Sequence, residues 1–327
     1  MPPAIEVDGL FKRYGDTRAL EGLTMRVESG SIYGFVGPNG AGKTTTMRIL
    51  ATLIEADRGS CRIGDTDVAR QPARVRAHVG YMPDFFGVYE DLTVQEYLEF
   101  YAESYYVPVR ARRATIDDLL DLVDLKHKRR EYVEALSRGM KQRLGLARCL
   151  VHDPAVLLLD EPASGMDPRA RVEMREIVKE LRRLGKTVLI SSHILPELAE
   201  LCTHIGIIQD GRLLREGRVA QVLSDMSSGK AIDVRAFAQR DMVIATLKQH
   251  PAVVSVEETN PSILTQELEE QTVAAPCQVT FRTFADEAGL RDILRALVEA
   301  ELGVITFSHV RDNLEDVFMQ ITEGRDE

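Results

Sequence analysis

The chain holds 327 residues, enough for about two domains, and its 44% apolar and 28% charged residues exclude a disordered tail, a collagen and a coiled-coil rod. With 41 basic against 51 acidic residues the net charge is −10, so a general nucleic-acid binder has no electrostatic footing and no nucleic acid is expected as a partner. The longest strongly apolar run, 155–159, falls far short of the ~20 residues that span a bilayer, and the N-terminus lacks the basic-then-apolar order of a secretion signal.

In chain order, 5–27 reads as short strands with turns. Ser31-Ile32-Tyr33-Gly34-Phe35-Val36-Gly37 reads as a buried strand running into a glycine-rich turn, and 41–53 as the helix after it. From 92 to about 148 the spacing is helical, with Val94, Tyr97, Leu98 and Tyr101 on one face and Ile116, Leu119, Leu120 and Val123 on another. The continuous apolar runs 155–159 and 187–190 are the pattern of strands covered on both faces, with a charged helix over 169–184 between them. Asp210-Gly211 joins 205–209 to 212–216 as a hairpin. Alternating strands and helices predict an α/β domain with a parallel sheet over 1–223, interrupted by a mostly helical insert at about 85–150.

The small, polar stretch 224–230 predicts a linker. Beyond it, over 230–327, the order is β-α-β-β-α-β, that of a small α+β ferredoxin-like domain, closed by a short helix at 314–322. Its strands are expected at 231–237, 253–258, 277–283 and 304–310, and its helices at 240–250 and 285–302; 259–276 gives no clear signal. It reads either as a packing or dimerisation module or as a regulatory domain for a small ligand or another copy of itself. The four cysteines, Cys61, Cys149, Cys202 and Cys277, form no Cys-x-x-Cys pair, which predicts reduced, mostly buried thiols in an intracellular protein.

Chemistry enters at Gly37-Pro38-Asn39-Gly40-Ala41-Gly42-Lys43-Thr44, which fits G-x-x-x-x-G-K-[ST] without mismatch. Glycines let the backbone wrap so that successive N–H groups point inward at phosphate oxygens, and the following helix aims its positive end at the same anion. Lys43 supplies a mobile charge to β- and γ-phosphates and Thr44 a hydroxyl for Mg²⁺; Thr45, next along the helix, is counted with them. A nucleotide cradle also needs a carboxylate for the metal and a group for the attacking water. The strand 155–159 ends in Asp160-Glu161, at the sheet edge where ligands sit. Asp160 is assigned to Mg²⁺, directly or through water, and Glu161 to the general base.

Here the residues reach a family. Leu136-Ser137-Arg138-Gly139-Met140-Lys141-Gln142-Arg143 resembles the signature of ATP-binding-cassette ATPases; read alone it is a basic helix start with Arg143 and Arg148 in solvent. Ser164-Gly165-Met166-Asp167-Pro168 resembles that family's D-loop, Ser191-Ser192-His193 its switch histidine, and Tyr14 the aromatic that stacks on adenine. The resemblance covers roughly 4–220, with the motifs in the family's order. It implies a P-loop NTPase cassette with a mixed sheet core. It also implies that two cassettes pack head to tail, Ser137 and Gly139 acting across the interface on the partner's ATP, with His193 touching the γ-phosphate and Asp167 of the D-loop counted among the nucleotide-binding residues. The other histidines, His78, His127, His152, His204, His250 and His309, have no such context and are expected to be surface or packing residues.

One departure stands out. Where the family places Gln at the entrance to the helical insert, the run Gly80-Tyr81-Met82-Pro83-Asp84 puts Asp84, a hard oxygen ligand that can still serve the metal. Phe85, Phe86 and Tyr89 beside it are either core or a surface that docks a partner helix. The implied function is the ATP-hydrolysing subunit of a transporter whose membrane permease is a separate chain. Two such cassettes would form a homodimer, peripheral on the cytoplasmic face of the membrane. Leu314-Glu315-Asp316-Val317-Phe318 resembles the tail of cassettes of the drug- and antibiotic-export type, which points to export. The competing readings are a DNA-maintenance and a ribosome-associated cassette ATPase. The first lacks its long heptad insertion and zinc cysteines here, the second its tandem pair of motif sets.

Overall fold

The computed structural model describes residues 3–84, 87, 91–226, 230–257 and 276–310. Contacts divide the chain into two compact units, Met1–Val222 and Leu223–Glu327. In chain order the first unit has β1 (Ile5–Tyr14), β2 (Thr17–Val27), β3 (Ile32–Val36), α1 (Lys43–Leu50), β4 (Arg58–Ile63), β5 (Thr66–Asp67), α2 (Pro72–His78) and β6 (Val79–Met82). The helices α3 (Val94–Ser104), α4 (Val109–Leu122) and α5 (Arg138–Leu150) follow. Then come β7 (Val156–Asp160), α6 (Pro168–Arg183), β8 (Thr187–Ser192), α7 (Leu195–Leu201), β9 (His204–Gln209), β10 (Arg212–Arg218) and α8 (Val219–Met226).

The strands form two sheets. The antiparallel one has order β2-β1-β4-β5, the larger one β10-β9-β3-β8-β7-β6. In the larger sheet β9, β3, β8, β7 and β6 run parallel and β10 returns antiparallel through the predicted Asp210-Gly211 turn. Every residue of β3, β7 and β8 is buried, which is why these strands read as unbroken apolar runs rather than alternations. Because all five run parallel, the C-terminal ends of β3, β7 and β8 lie side by side, and all three lead into motif residues. A buried hydroxyl ties the sheet across: Tyr33 on β3 donates to Glu216 Oε1 on β10 at 2.9 Å, over Gly206 of the intervening β9. Burial and the neighbouring carboxylate push the Tyr33 phenol far above its usual range.

Four local readings are corrected. Segment 5–27 is one long hairpin rather than short strands, because the pairing of β1 with β2 continues through register shifts instead of ending at them. Helix α1 begins at Lys43, not Ala41: Gly42, at φ +108°, holds a conformation no helix interior admits. Residues 224–226 are the last turn of α8, which propagates past its apolar start; of the rest of the expected linker, 227–229 lie outside the described residues and Lys230 opens a strand. Arg143 is buried rather than in solvent, its guanidinium donating to the Val123 carbonyl at 3.0 Å. His152 is a packing residue, stacked on Tyr105 at 3.9 Å.

The second unit has β11 (Lys230–Ala236), α9 (Arg240–Gln249), β12 (Val253–Glu257), β13 (Cys277–Thr283), α10 (Glu287–Glu299) and β14 (Val304–Val310). Its sheet order is β12-β13-β11-β14 with every pair antiparallel, the split βαβ arrangement of a ferredoxin-like unit. Ile232, Val234, Val279 and Phe281 meet Val243, Leu247, Ile293 and Leu297 of the two helices in its core. The expected helix at 314–322 lies outside the described residues.

Candidate functional site

The loop between β3 and α1 is shaped by close approach. A Cβ at Gly37 would stand 2.3 Å from the Ile208 carbonyl, and one at Gly42 would stand 2.6 Å from that of Ala19, so only glycine fits either place. Lys43 opens α1 but folds back, Nζ donating to the carbonyls of Gly37 at 2.6 Å and Pro38 at 3.1 Å. This buried ammonium also faces Glu161 Oε1 at 3.5 Å. Burial pulls its pKa below the ordinary lysine value, and the Glu161 carboxylate partly restores it.

Glu161 follows β7 in a left-handed backbone conformation, φ +50°, uncommon for a residue with a side chain. Its Oε2 lies 3.0 Å from Nδ1 of His193, so one carboxylate bridges the lysine of α1 and the histidine after β8. Asp160, 1% exposed, accepts from Ser191 Oγ on Oδ1 at 2.7 Å; its Oδ2 is buried with no hydrogen-bond partner among the described residues. A buried carboxylate oxygen in that state calls for a cation or a water. Hydroxyl and carboxylate oxygens from Thr44, Asp160 and Asp84 are the donor set of a hard ion, so these residues fit Mg²⁺. A cavity of about 310 Å³ is lined by residues 38–45 together with Asp84, Glu161, Ser164 and His193.

Known proteins resemble this chain over nearly its whole length. The daunorubicin resistance ATP-binding protein DrrA3 of Streptomyces coeruleorubidus is 36% identical over 321 residues, 98% of this chain and 96% of that one. The chain belongs to the ABC transporter ATP-binding proteins. The ABC transporter family model matches residues 20–164, and a Nod factor export ATP-binding protein I of Ralstonia nicotianae is 32% identical over 99% of this chain and 95% of its own length. A solved structure of the ATP binding subunit of an ABC transporter, 29% identical, aligns with a TM-score of 0.62 over 68% of this chain and 92% of that chain. The protein is thus a transport-coupled ATPase on an α/β P-loop cassette.

Within this cassette, residues from four separate stretches, 38–45, Asp84, Glu161 and His193, meet at one cavity. Tyr14, Gly37, Ser137, Gly139, Asp160 and Asp167 are not among its lining residues; Asp160 is buried behind Glu161 on β7. Tyr14 ends β1, about half exposed, with Lys12 Nζ 5.8 Å from its ring centre. Ser137 caps α5, its hydroxyl accepting from Met140 N at 3.3 Å, and Gly139 is buried in the first turn of that helix. Asp167 caps α6 through Oδ1 and Ala170 N at 3.0 Å. Phe85, Phe86, Tyr89 and the tail 314–318 lie outside the described residues. Two residues sit within motifs but were given no role of their own by the sequence reading: Ser164, which lines the cavity, and Ser191. The available signal for Ser191 was a hydroxyl directly after the buried run 187–190, two positions before His193.

Proposed function

We propose that this chain binds ATP in the cradle 37–45 and hydrolyses it with Glu161 as general base, as the energy-supplying subunit of an exporter whose permease is a separate membrane chain. The observation that carries the reading is the position of Glu161, 14% exposed, on the wall of the cradle's cavity and in contact with both Lys43 and His193. Thr44, Asp160 and Asp84 would hold Mg²⁺, which when bound offsets phosphate charge. Glu161 takes a proton from water, the oxygen attacks the γ-phosphorus, and the bond to the β–γ bridging oxygen breaks to leave ADP and phosphate. Lys43 and His193 are assigned to the γ-phosphate, and both already bracket the carboxylate that must act beside it.

Ser137, Gly139 and Asp167 are assigned to the nucleotide of a second cassette. The place of Ser137 and Gly139 at the start of α5, whose first-turn N–H groups form an anion-binding end, supports that assignment. ATP then holds two copies together, and its hydrolysis releases them. Among the described residues no helix is long and apolar enough to cross a membrane. We place the cassette on the cytoplasmic face of the membrane, held there by its permease. Export, rather than import, follows the names of the relatives, which include daunorubicin resistance and Nod factor export proteins.

The test is Glu161→Gln. ATP binding by equilibrium titration stays near wild type, turnover falls roughly 10²–10⁴-fold, the contribution of one positioned base, and size-exclusion chromatography shows a dimer only with ATP. Near wild-type turnover would refute the base assignment. A variant that stays monomeric with saturating ATP would refute the paired-cassette reading.

A further inference from the structure

We propose that Ser191 is a positioning residue for the hydrolysis, aiming the metal-side carboxylate of Asp160 and holding the backbone of the base Glu161 with one hydroxyl; the inference rests on the roles given above to those two residues. Ser191 is fully buried on β8, in direct register with Asp160 on the neighbouring β7. A buried hydroxyl costs free energy unless its hydrogen bonds are made. Both of these go to the same place: Oγ donates to Asp160 Oδ1 at 2.7 Å and accepts from the backbone N–H of Glu161 at 2.9 Å.

Each bond constrains a different property. The first fixes the plane of the Asp160 carboxylate, so that the other oxygen, buried and without a partner among the described residues, is the one presented to a cation. The second engages the N–H of Glu161 where the chain leaves β7 in the left-handed region, φ +50°, a conformation that surrounding structure must impose on a residue with a side chain. Strand β8 and the residue that follows it therefore grip Glu161 twice, at the backbone through Ser191 and at the carboxylate through His193. Ser192, between them, behaves differently: its hydroxyl accepts from Ile194 N at 3.0 Å and its carbonyl from Gly37 N at 3.4 Å, ties within its own turn and to the cradle. Metal carboxylate, base and switch histidine thus keep their relative positions through one strand-to-strand hydroxyl, while the cradle is held separately.

The experiment uses the full-length chain with a non-hydrolysable ATP analogue and Mn²⁺ as a paramagnetic probe. Ser191→Ala is expected to weaken Mn²⁺ binding roughly tenfold or more, the usual effect of removing a partner of a metal-binding carboxylate. In the same variant kcat falls by a similar factor, and affinity for the analogue measured in EDTA stays within about twofold because the cradle is untouched. Ser191→Thr, which keeps the hydroxyl, restores metal binding. Ser191→Cys, close in volume with a weaker donor and acceptor, is expected to show the same loss and replaces the alanine variant if that one does not fold. Wild-type Mn²⁺ affinity in the Ala or Cys variant, alongside lost binding in Asp160→Asn, overturns the positioning role and leaves the assignment of Asp160 standing. Wild-type Mn²⁺ affinity in Asp160→Asn overturns that assignment, and this inference with it.

Discussion

Asp84 gives the cavity proposed to take the nucleotide a negative charge where the family pattern has a neutral amide, and Asp84→Gln measures what that charge does. The side chain is exposed and lines the same cavity of about 310 Å³ as Lys43, Glu161 and His193. A volume of that size corresponds to a sphere roughly 8 Å across, and two unit charges at that separation interact by about 0.5 kcal/mol in water and about 2 kcal/mol at an effective dielectric constant of 20. An intermediate value near ~1 kcal/mol per unit charge suits a site open to solvent, and a polyphosphate carries more than one charge. Removing the Asp84 charge should therefore tighten binding of metal-free ATP by ~1–2 kcal/mol, about 5- to 30-fold. With saturating Mg²⁺ the gain shrinks, because the cation screens the phosphates and Asp84 is then an attractive partner rather than a repulsive one. The assay is a fluorescent-nucleotide titration of wild type and Asp84→Gln, in EDTA and in Mg²⁺, at two salt concentrations. An identical affinity for both proteins in EDTA at low salt would refute the electrostatic argument.

Further outcomes concern Lys43 and the buried thiol of Cys61. Lys43→Ala removes an ammonium that is already held by the loop carbonyls and positioned over the cradle, and charge-assisted hydrogen bonds of ~1.5–3 kcal/mol predict a roughly 10- to 100-fold loss of ATP affinity by calorimetry; unchanged affinity would remove the cradle reading. Burial pushes the Cys61 thiol up from 9.0 to about 12. At pH 8 the native chain should then alkylate at Cys61 about 10³-fold more slowly than the denatured chain, by peptide mass spectrometry. The folded form favours the protonated thiol, so this group's contribution to stability is intact below pH 9 and is lost as pH rises toward 12. Equal labelling of native and denatured chain would show that Cys61 is not enclosed.

How much of the site was legible depended on how far along the chain its parts lie. The cradle is contiguous: the glycines, Lys43 and the helix start at Lys43 act within a few residues of each other, so spacing alone identifies them. The same holds for the Asp210-Gly211 turn and for the buried runs of β3, β7 and β8, where burial on both faces leaves a direct mark on composition. Asp160 and Glu161 could be assigned because they end such a run. The boundaries that failed, at 5–27 and 224–230, are places where pairing or helix propagation continued through residues that locally favour a stop.

What the amino-acid order determined by itself was the set of motifs, the alternation of strand and helix and the division into two units. Only the tertiary structure decided that Asp84 reaches the cavity of Lys43, that Glu161 is bracketed by Lys43 and His193, and that Ser191 joins Asp160 to the backbone of Glu161. Those contacts link residues tens of positions apart or more. No local propensity encodes them. They arise because a parallel sheet brings the ends of β3, β7 and β8 to one edge, and which side chains meet there is set by strand order and register, quantities that exist only once the chain has folded.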